Sequence, residues 1–90
     1  MIEVKFASEV EESLIKIKRK DSKLFSKIDK QLALVVENPK HPSLRTHKLS
    51  GKMKNMSSIS ITMSIRMVYV KISENLFMFV KIDTHKKVYK

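Results

Sequence analysis

The apolar residues of this chain have two kinds of spacing along its length, and this difference restricts the fold. Between residues 8 and 37 they recur every three or four positions, which is typical of amphipathic helices. Between residues 58 and 82 they alternate with polar residues or form β-branched and aromatic runs, as strands do. Ninety residues leave room for one core, so both kinds of element must share it. The pattern therefore predicts a single α+β domain over residues 1–90.

The helical part predicts two helices in an antiparallel hairpin. Ser8 and Glu11 have the spacing of a capping box, so the first helix should begin at Ser8. Asp21 or Ser22 is a suitable cap for the second helix, which the Asn38–Pro39 pair should end. The apolar stripes are Val10, Leu14 and Ile17 in the first helix and Phe25, Ile28, Leu32 and Val35 in the second.

Strands are expected on both sides of the helices. One alternating strand, Ile2–Phe6, precedes them, and residues 40–56 connect them to the rest of the chain. The later strands are an alternating one with Ile59, Ile61 and Met63 on one face, then Ile65–Ile72 and Leu76–Ile82, which the turn Ser73–Asn75 separates. The order β-α-α-β-β-β predicts a helical hairpin packed on one face of a mainly antiparallel sheet, with the other face left for a partner.

Positive charge is concentrated in the second half of the chain. The formal net charge is +10, and residues 38–90 hold 11 Lys and Arg against 2 acidic residues. No acidic residue occurs between Glu37 and Glu74. Such a surface attracts polyanions through counterion release, and nucleic acid is the commonest polyanion in a cell. A solvated basic face on a lysine-rich protein would explain the same charges, so both interpretations stand at this point.

The composition excludes several classes of protein. Cysteine is absent, which rules out a disulfide framework, a thiolate nucleophile and a zinc ribbon. The histidines and carboxylates lack the spacing of metal ligands, so we expect no metal and no cofactor. No stretch approaches the roughly 20 apolar residues of a membrane span, and the first residues lack an apolar run of signal-peptide length. We therefore expect a soluble, cytoplasmic protein without membrane contact.

Two of the three histidines lie in basic clusters. The clusters are His47 with Lys48, Lys52 and Lys54, and His85 with Lys86, Lys87 and Tyr89. Lysines in such a cluster can hold a phosphodiester while the imidazole moves a proton, although a solvated histidine is the simpler alternative. His41 lies in a proline-flanked loop and has no expected role.

Arg66 interrupts an apolar strand, where it shares a face with Val68 and Val70. A guanidinium there loses hydration unless it meets an anion or a carboxylate. An edge position or an ion pair with Asp83 or Glu74 would satisfy it, and so would a bidentate clamp on a phosphate. The neighbouring serines are expected on polar strand faces, since no nucleophile elbow surrounds them; they are Ser57, Ser58, Ser60 and Ser64.

Four further segments stand out in order after the first strand and the helix pair. They are Asn38–Leu44, Thr46–Lys54, Arg66–Tyr69 and Ile82–Tyr89. Together they make nearly the whole chain resemble the RelE/ParE toxin superfamily, most closely its YafQ-like branch. The resemblance implies a RelE-like fold and the role of toxin in a type II toxin–antitoxin pair. Members of the RelE and YafQ kind enter the ribosomal A site and cut mRNA.

The resemblance also implies a ribonuclease mechanism without a metal. In this family the RNA 2′-hydroxyl attacks the adjacent phosphorus, assisted by a base, an acid and cationic groups. The matching catalytic positions are His47, Arg66, His85 and Tyr89, and the expected RNA contacts are Lys48, Lys52, Lys54, Lys86 and Lys87. Ser60 and Ser64 stand near positions where family members carry catalytic residues.

Three functional hypotheses follow. The leading one is a ribosome-dependent mRNA endonuclease, whose partners are mRNA and ribosomal RNA. The second is a catalytically weak or inactive relative that binds an antitoxin or a nucleic acid, which Ser60 and Ser64 favour. The third is a ParE-like inhibitor of DNA gyrase, against which the two clustered histidines argue. A cognate antitoxin with an acidic amphipathic segment, bound in a hetero-oligomer, is the expected protein partner.

Overall fold

The structure is a computed structural model that describes residues 1–49 and 55–84. Within them the strands are β1 (Glu3–Phe6), β2 (His47–Lys48), β3 (Met56–Ser60), β4 (Ile65–Ser73) and β5 (Leu76–Thr84). The helices are α1 (Ser8–Lys20), α2 (Ser22–Glu37) and a 3₁₀ helix, Pro42–Leu44.

The five strands form one sheet in the order β1-β5-β4-β3-β2. Neighbours from β2 to β5 are antiparallel, and β1 lies parallel to β5. The helices pack on one face, where Val10 and Ile28 meet Ile59, Met67 and Phe79 in a core of side chains that are at most 2% exposed. The predicted class is confirmed: a helical hairpin covers one face of a mostly antiparallel sheet.

The helix ends differ in part from the prediction. Helix α1 does begin at Ser8, but its N-cap is Ala7 and no side chain caps it, so the predicted Ser8–Glu11 capping box is wrong. The carbonyl oxygen of Ala7 instead accepts from the backbone N–H groups of Val10 and Glu11, which leaves no need for a hydroxyl cap. The predicted cap of α2 is confirmed, because a carboxylate oxygen of Asp21 accepts from the Leu24 N–H at 3.1 Å.

The connection over residues 40–56 contains more structure than the sequence predicts. Its described part includes the 3₁₀ helix Pro42–Leu44 and the two-residue strand β2. Neither element is long enough to produce a visible period in the sequence. Leu44 is fully buried, which holds this connection against the core.

The first strand of the meander ends earlier than the alternation predicts. Strand β3 stops at Ser60, and Met63 is 99% exposed instead of sharing a face with Ile59. The hydroxyl oxygen of Thr62 accepts from the N–H groups of Ser64 and Ile65, and such local bonds favour a turn over a ladder. The two later strands are confirmed by β4 and β5, but β4 includes Ser73, so the turn between them is shorter by one residue than predicted.

Candidate active site on the open face of the sheet

Strand register determines which side chains share the face that the helices leave uncovered. Residues directly paired across neighbouring strands project to the same side of a sheet. One such row contains His47, Ser58 and Val68. The next row contains Ser60, Arg66 and Asp83. We call the surface formed by these two rows the open face.

The open face contains a cavity of about 430 Å³. Its lining includes one imidazole, two cations and one carboxylate, from residues that lie as many as 36 positions apart. The lining residues are His47, Lys48, Leu49, Ser58, Arg66, Val68 and Asp83. Cations next to a possible proton acceptor are the groups that binding and cleaving a phosphodiester require.

Arg66 lies at the centre of this arrangement, and its guanidinium is held on one edge. Its Nε donates to the hydroxyl oxygen of Ser58 at 2.9 Å. Its Nη2 donates to the carbonyl oxygen of Ser58 at 3.1 Å and to that of Arg45 at 2.6 Å. Within the described residues, Nη1 has no hydrogen-bond partner. Because the partners on the held edge are neutral, the positive charge of Arg66 remains available to an anion.

Burial lowers the pKa of Arg66, and the neighbouring charge of Arg45 lowers it further. Both causes act against the charged form, which an arginine nevertheless keeps at neutral pH because its ordinary pKa is so high. A partly buried cation beside a second cation is an unfavourable arrangement for the free protein. An anion placed between them would relieve it.

The position of Arg66 in the sheet bears on its two other interpretations, as an edge residue and as the partner of a carboxylate. Strand β4 lies between β3 and β5, so the edge position is wrong. Glu74 lies in the β4–β5 turn and lines a different cavity. Asp83 is directly opposite Arg66, yet the hydrogen bonds of the guanidinium go to Ser58 and Arg45.

The chain is similar to known proteins in its structure but not in its sequence. The sequence matches no protein-family model and no curated protein. Solved structures do match it over almost the full length of both chains. A YoeB/ParE toxin from Agrobacterium tumefaciens is 19% identical, with a TM-score of 0.80 over 93% of this chain and 99% of that one. The chain has the YoeB/ParE toxin fold.

Two similar structures contain a second protein. A heterotetrameric YoeB–YefM toxin–antitoxin complex from Staphylococcus aureus is 20% identical and has a TM-score of 0.79, over 94% of this chain and 98% of that one. The DinJ–YafQ complex of Escherichia coli is 15% identical and has a TM-score of 0.70, over the whole of both chains. These likenesses confirm the RelE-like fold that the sequence resemblance implies.

Of the predicted site residues in this YoeB/ParE-like fold, His47, Lys48 and Arg66 line the same cavity. His47 is exposed on β2, an edge strand, and Arg66 is half-buried on β4. The remaining predicted residues lie outside the described part of the chain: Lys52, Lys54, His85, Lys86, Lys87 and Tyr89.

Ser60 and Ser64, which the sequence resemblance puts near family catalytic positions, occupy different places. Ser60 is on the open face opposite Arg66, where its hydroxyl donates to the carbonyl oxygen of Thr62 at 3.2 Å. Ser64 is exposed in the β3–β4 turn. A serine hydroxyl does not titrate near neutral pH, so neither residue replaces an acid or a base by itself.

Sequence reasoning missed three residues of the site. Ser58 was expected on a polar strand face, but it is 5% exposed because it lies under the guanidinium of Arg66. Arg45 was not among the predicted site residues, and Asp83 was expected only as an alternative ion-pair partner of Arg66. The predicted three-residue turn Ser73–Asn75 would pair Arg66 with Ile82, whereas the observed pair Ser73–Leu76 leads to Asp83 opposite Arg66.

Proposed function

We propose that the protein is the toxin of a type II toxin–antitoxin pair and cleaves mRNA on the ribosome. The observation that carries the proposal is the Arg66 guanidinium, held on one edge by neutral partners, in the same open-face cavity as His47 and Lys48. The fold shared with YoeB and YafQ toxins supports the toxin role.

The proposed reaction needs only groups of the RNA and of the protein. The 2′-oxygen attacks the adjacent phosphorus, and the bond from phosphorus to the 5′-oxygen breaks, which leaves a 2′,3′-cyclic phosphate. His47 accepts the proton of the 2′-hydroxyl, and His85 returns a proton to the departing 5′-oxygen. Arg66 stabilises the charge that develops on the phosphoryl oxygens. Tyr89 is the fourth proposed catalytic residue, and the proposed RNA contacts are Lys48, Lys52, Lys54, Lys86 and Lys87.

No step of this proposal uses a metal ion. Within the described residues, no group of three or more His, Asp and Glu side chains is arranged to hold one.

In the part of the chain that the structure describes, no helix is long and apolar enough to cross a membrane. A site of action on cytoplasmic ribosomes is part of the proposal.

An acidic segment of a cognate antitoxin is the proposed protein partner. The YoeB and YafQ structures that contain YefM and DinJ support such a pairing. Charge complementarity with a chain of net charge +10 supports an acidic partner in a hetero-oligomer. Complex formation that does not weaken with rising salt would contradict the electrostatic part of this proposal.

Induced expression in a bacterium tests the main proposal. Wild-type protein should stop translation, and mapping of mRNA ends should find cuts within codons of translated messages. Arg66→Ala should slow cleavage by about 10²–10³-fold, the usual effect of removing one transition-state donor. Arg19→Ala is the matched control, because this arginine is exposed on α1. Equal toxicity of wild type and Arg66→Ala would overturn the assignment.

A second candidate is a relative that binds RNA or its antitoxin without cutting. The position of Ser60 opposite Arg66 favours it, because an acid or base at this place would serve the reaction directly. This candidate predicts RNA binding that depends on Arg66 with no new mRNA ends. DNA breaks with an SOS response would point instead to gyrase.

A further inference from the structure

Residue 45 has an unusual backbone conformation. Arg45 lies in the left-handed region, with φ 46° and ψ 52°, and within the described residues it is the only residue other than glycine with positive φ. A long side chain is uncommon there, and such a conformation persists only where the surroundings determine it.

The surroundings of Arg45 do determine its conformation. Its N–H donates to the carbonyl oxygen of Pro42 at 3.1 Å, which closes the 3₁₀ helix, and the preceding Leu44 is fully buried. At the other end of this helix, Nδ1 of His41 accepts from the N–H of Ser43 at 3.1 Å. The 3₁₀ helix is therefore anchored on both sides of the buried leucine.

This conformation directs a carbonyl oxygen at the candidate site. The oxygen of Arg45 accepts from Nη2 of Arg66 at 2.6 Å, which is a short charge-assisted bond. Ser58 accepts one hydrogen bond from Nε with its hydroxyl and a second from Nη2 with its carbonyl oxygen, so the guanidinium cannot rotate without breaking three contacts. The planar guanidinium of Arg66, held by these bonds, presents its Nη1 group in one orientation.

We infer that the backbone of Arg45 positions the side chain of Arg66. The left-handed conformation of residue 45 directs its carbonyl oxygen at the guanidinium and so sets the orientation in which the guanidinium meets a phosphate oxygen. This inference rests on the proposed function. The Arg45 side chain has a separate effect: its charge lies close enough to lower the pKa of Arg66, so it adds attraction for the same phosphate.

Two substitutions at residue 45 separate the backbone from the side chain. Arg45→Gly and Arg45→Val both remove the guanidinium. Glycine adopts the left-handed region readily, whereas a β-branched valine is strongly disfavoured there. Arg45→Gly should therefore keep the carbonyl in place, and Arg45→Val should move it.

The measurement that decides is the solvent exchange of the Arg66 Nε proton, followed by NMR. Exchange should remain slow in Arg45→Gly and become faster in Arg45→Val, as it should in Ser58→Ala, which removes the direct acceptor. Cleavage of mRNA should fall at least about tenfold further in Arg45→Val than in Arg45→Gly, the usual effect of losing a bond to a charged group. Circular dichroism confirms folding, and Arg45→Ala is the milder variant if valine prevents it.

Equal exchange rates and equal cleavage in the glycine and valine variants would overturn the inference. Failure of the proposed function is a distinct result. If wild-type protein cuts no RNA, the exchange experiment still reports whether residue 45 holds Arg66.

Discussion

Ser58 and Ile59 are neighbours on β3, and both are almost completely buried, yet they are buried by different means. Ile59 is 1% exposed and packs in the core beneath the helices. Ser58 is 5% exposed because a guanidinium lies over it on the opposite face. Burial alone therefore does not distinguish a core residue from a residue of the candidate site in this sheet. The two kinds of residue differ in the face of the strand to which the side chain projects.

The same division runs along β4. Met67 is fully buried on the helix-covered face, and Arg66 lies on the open face beside it in sequence. Alternate residues of one strand therefore face the core and the candidate site. Substitutions on the covered face should change the free energy of unfolding, whereas those on the open face should change RNA cleavage or binding.

The largest expected effect is on the covered face. Ile59→Ala should lower the free energy of unfolding by about 2–5 kcal/mol, because it removes buried methyl groups and leaves a cavity. Urea denaturation measures this change. Cleavage per folded molecule should stay close to wild type. A loss of cleavage in fully folded Ile59→Ala would contradict the expectation that covered-face residues affect stability alone.

The matched substitution on the open face is Ser58→Ala. It leaves the Nε donor of Arg66 without its hydroxyl acceptor, so mRNA cleavage should fall by about tenfold or more. The free energy of unfolding should fall by less than in Ile59→Ala. A stability loss as large as that of Ile59→Ala with unchanged cleavage would place Ser58 in the core rather than in the site.

Asp83→Asn should strengthen RNA binding. Asp83 lines the cavity and is paired with Arg66 across the strands, so its carboxylate would repel a bound phosphate. Removing one negative charge should therefore tighten RNA binding by roughly fivefold at low salt, a value that corresponds to about 1 kcal/mol between partly solvated charges. Tighter binding with abolished cleavage would instead identify Asp83 as the proton acceptor.

The smallest expected effect concerns Lys48, which is exposed at the rim of the cavity. Lys48→Ala should weaken RNA binding a few-fold and reduce the slope of log affinity against log salt by about 1, as expected for a lost phosphate contact. Fluorescence anisotropy over a salt series measures both quantities. Lys23→Ala on α2 is the matched control. An equal change in that variant would show that RNA binding depends on the net charge of the protein and not on the position of Lys48.

Much of the fold was predictable because it depends on local patterns. The period of the apolar residues indicated both long helices and the strands β4 and β5, and the Asn38–Pro39 pair indicated where α2 ends. The extent of β3 was not predictable from alternation, because the hydroxyl of Thr62 stabilises a turn within the alternating segment. Strand β2 is too short to leave any periodic signal.

The candidate site was predictable only in part. Arg66 and His47 stood out because a cation in an apolar strand and a histidine among lysines are conspicuous in a sequence. Ser58 and Arg45 did not stand out. Their contributions are a buried hydroxyl and a backbone carbonyl, and both depend on contacts between residues that are distant along the chain.

The amino-acid sequence by itself determined the α+β class, the positions of the long elements and the excess of positive charge in the second half of the chain. Periodicity and charge are properties of neighbouring residues, so they are visible before folding. The tertiary structure alone decided that His47, Arg66 and Asp83 line one cavity and that a left-handed residue holds the arginine. Strand register and loop anchoring produce those contacts, and both arise only when the sheet and its buried leucine are assembled.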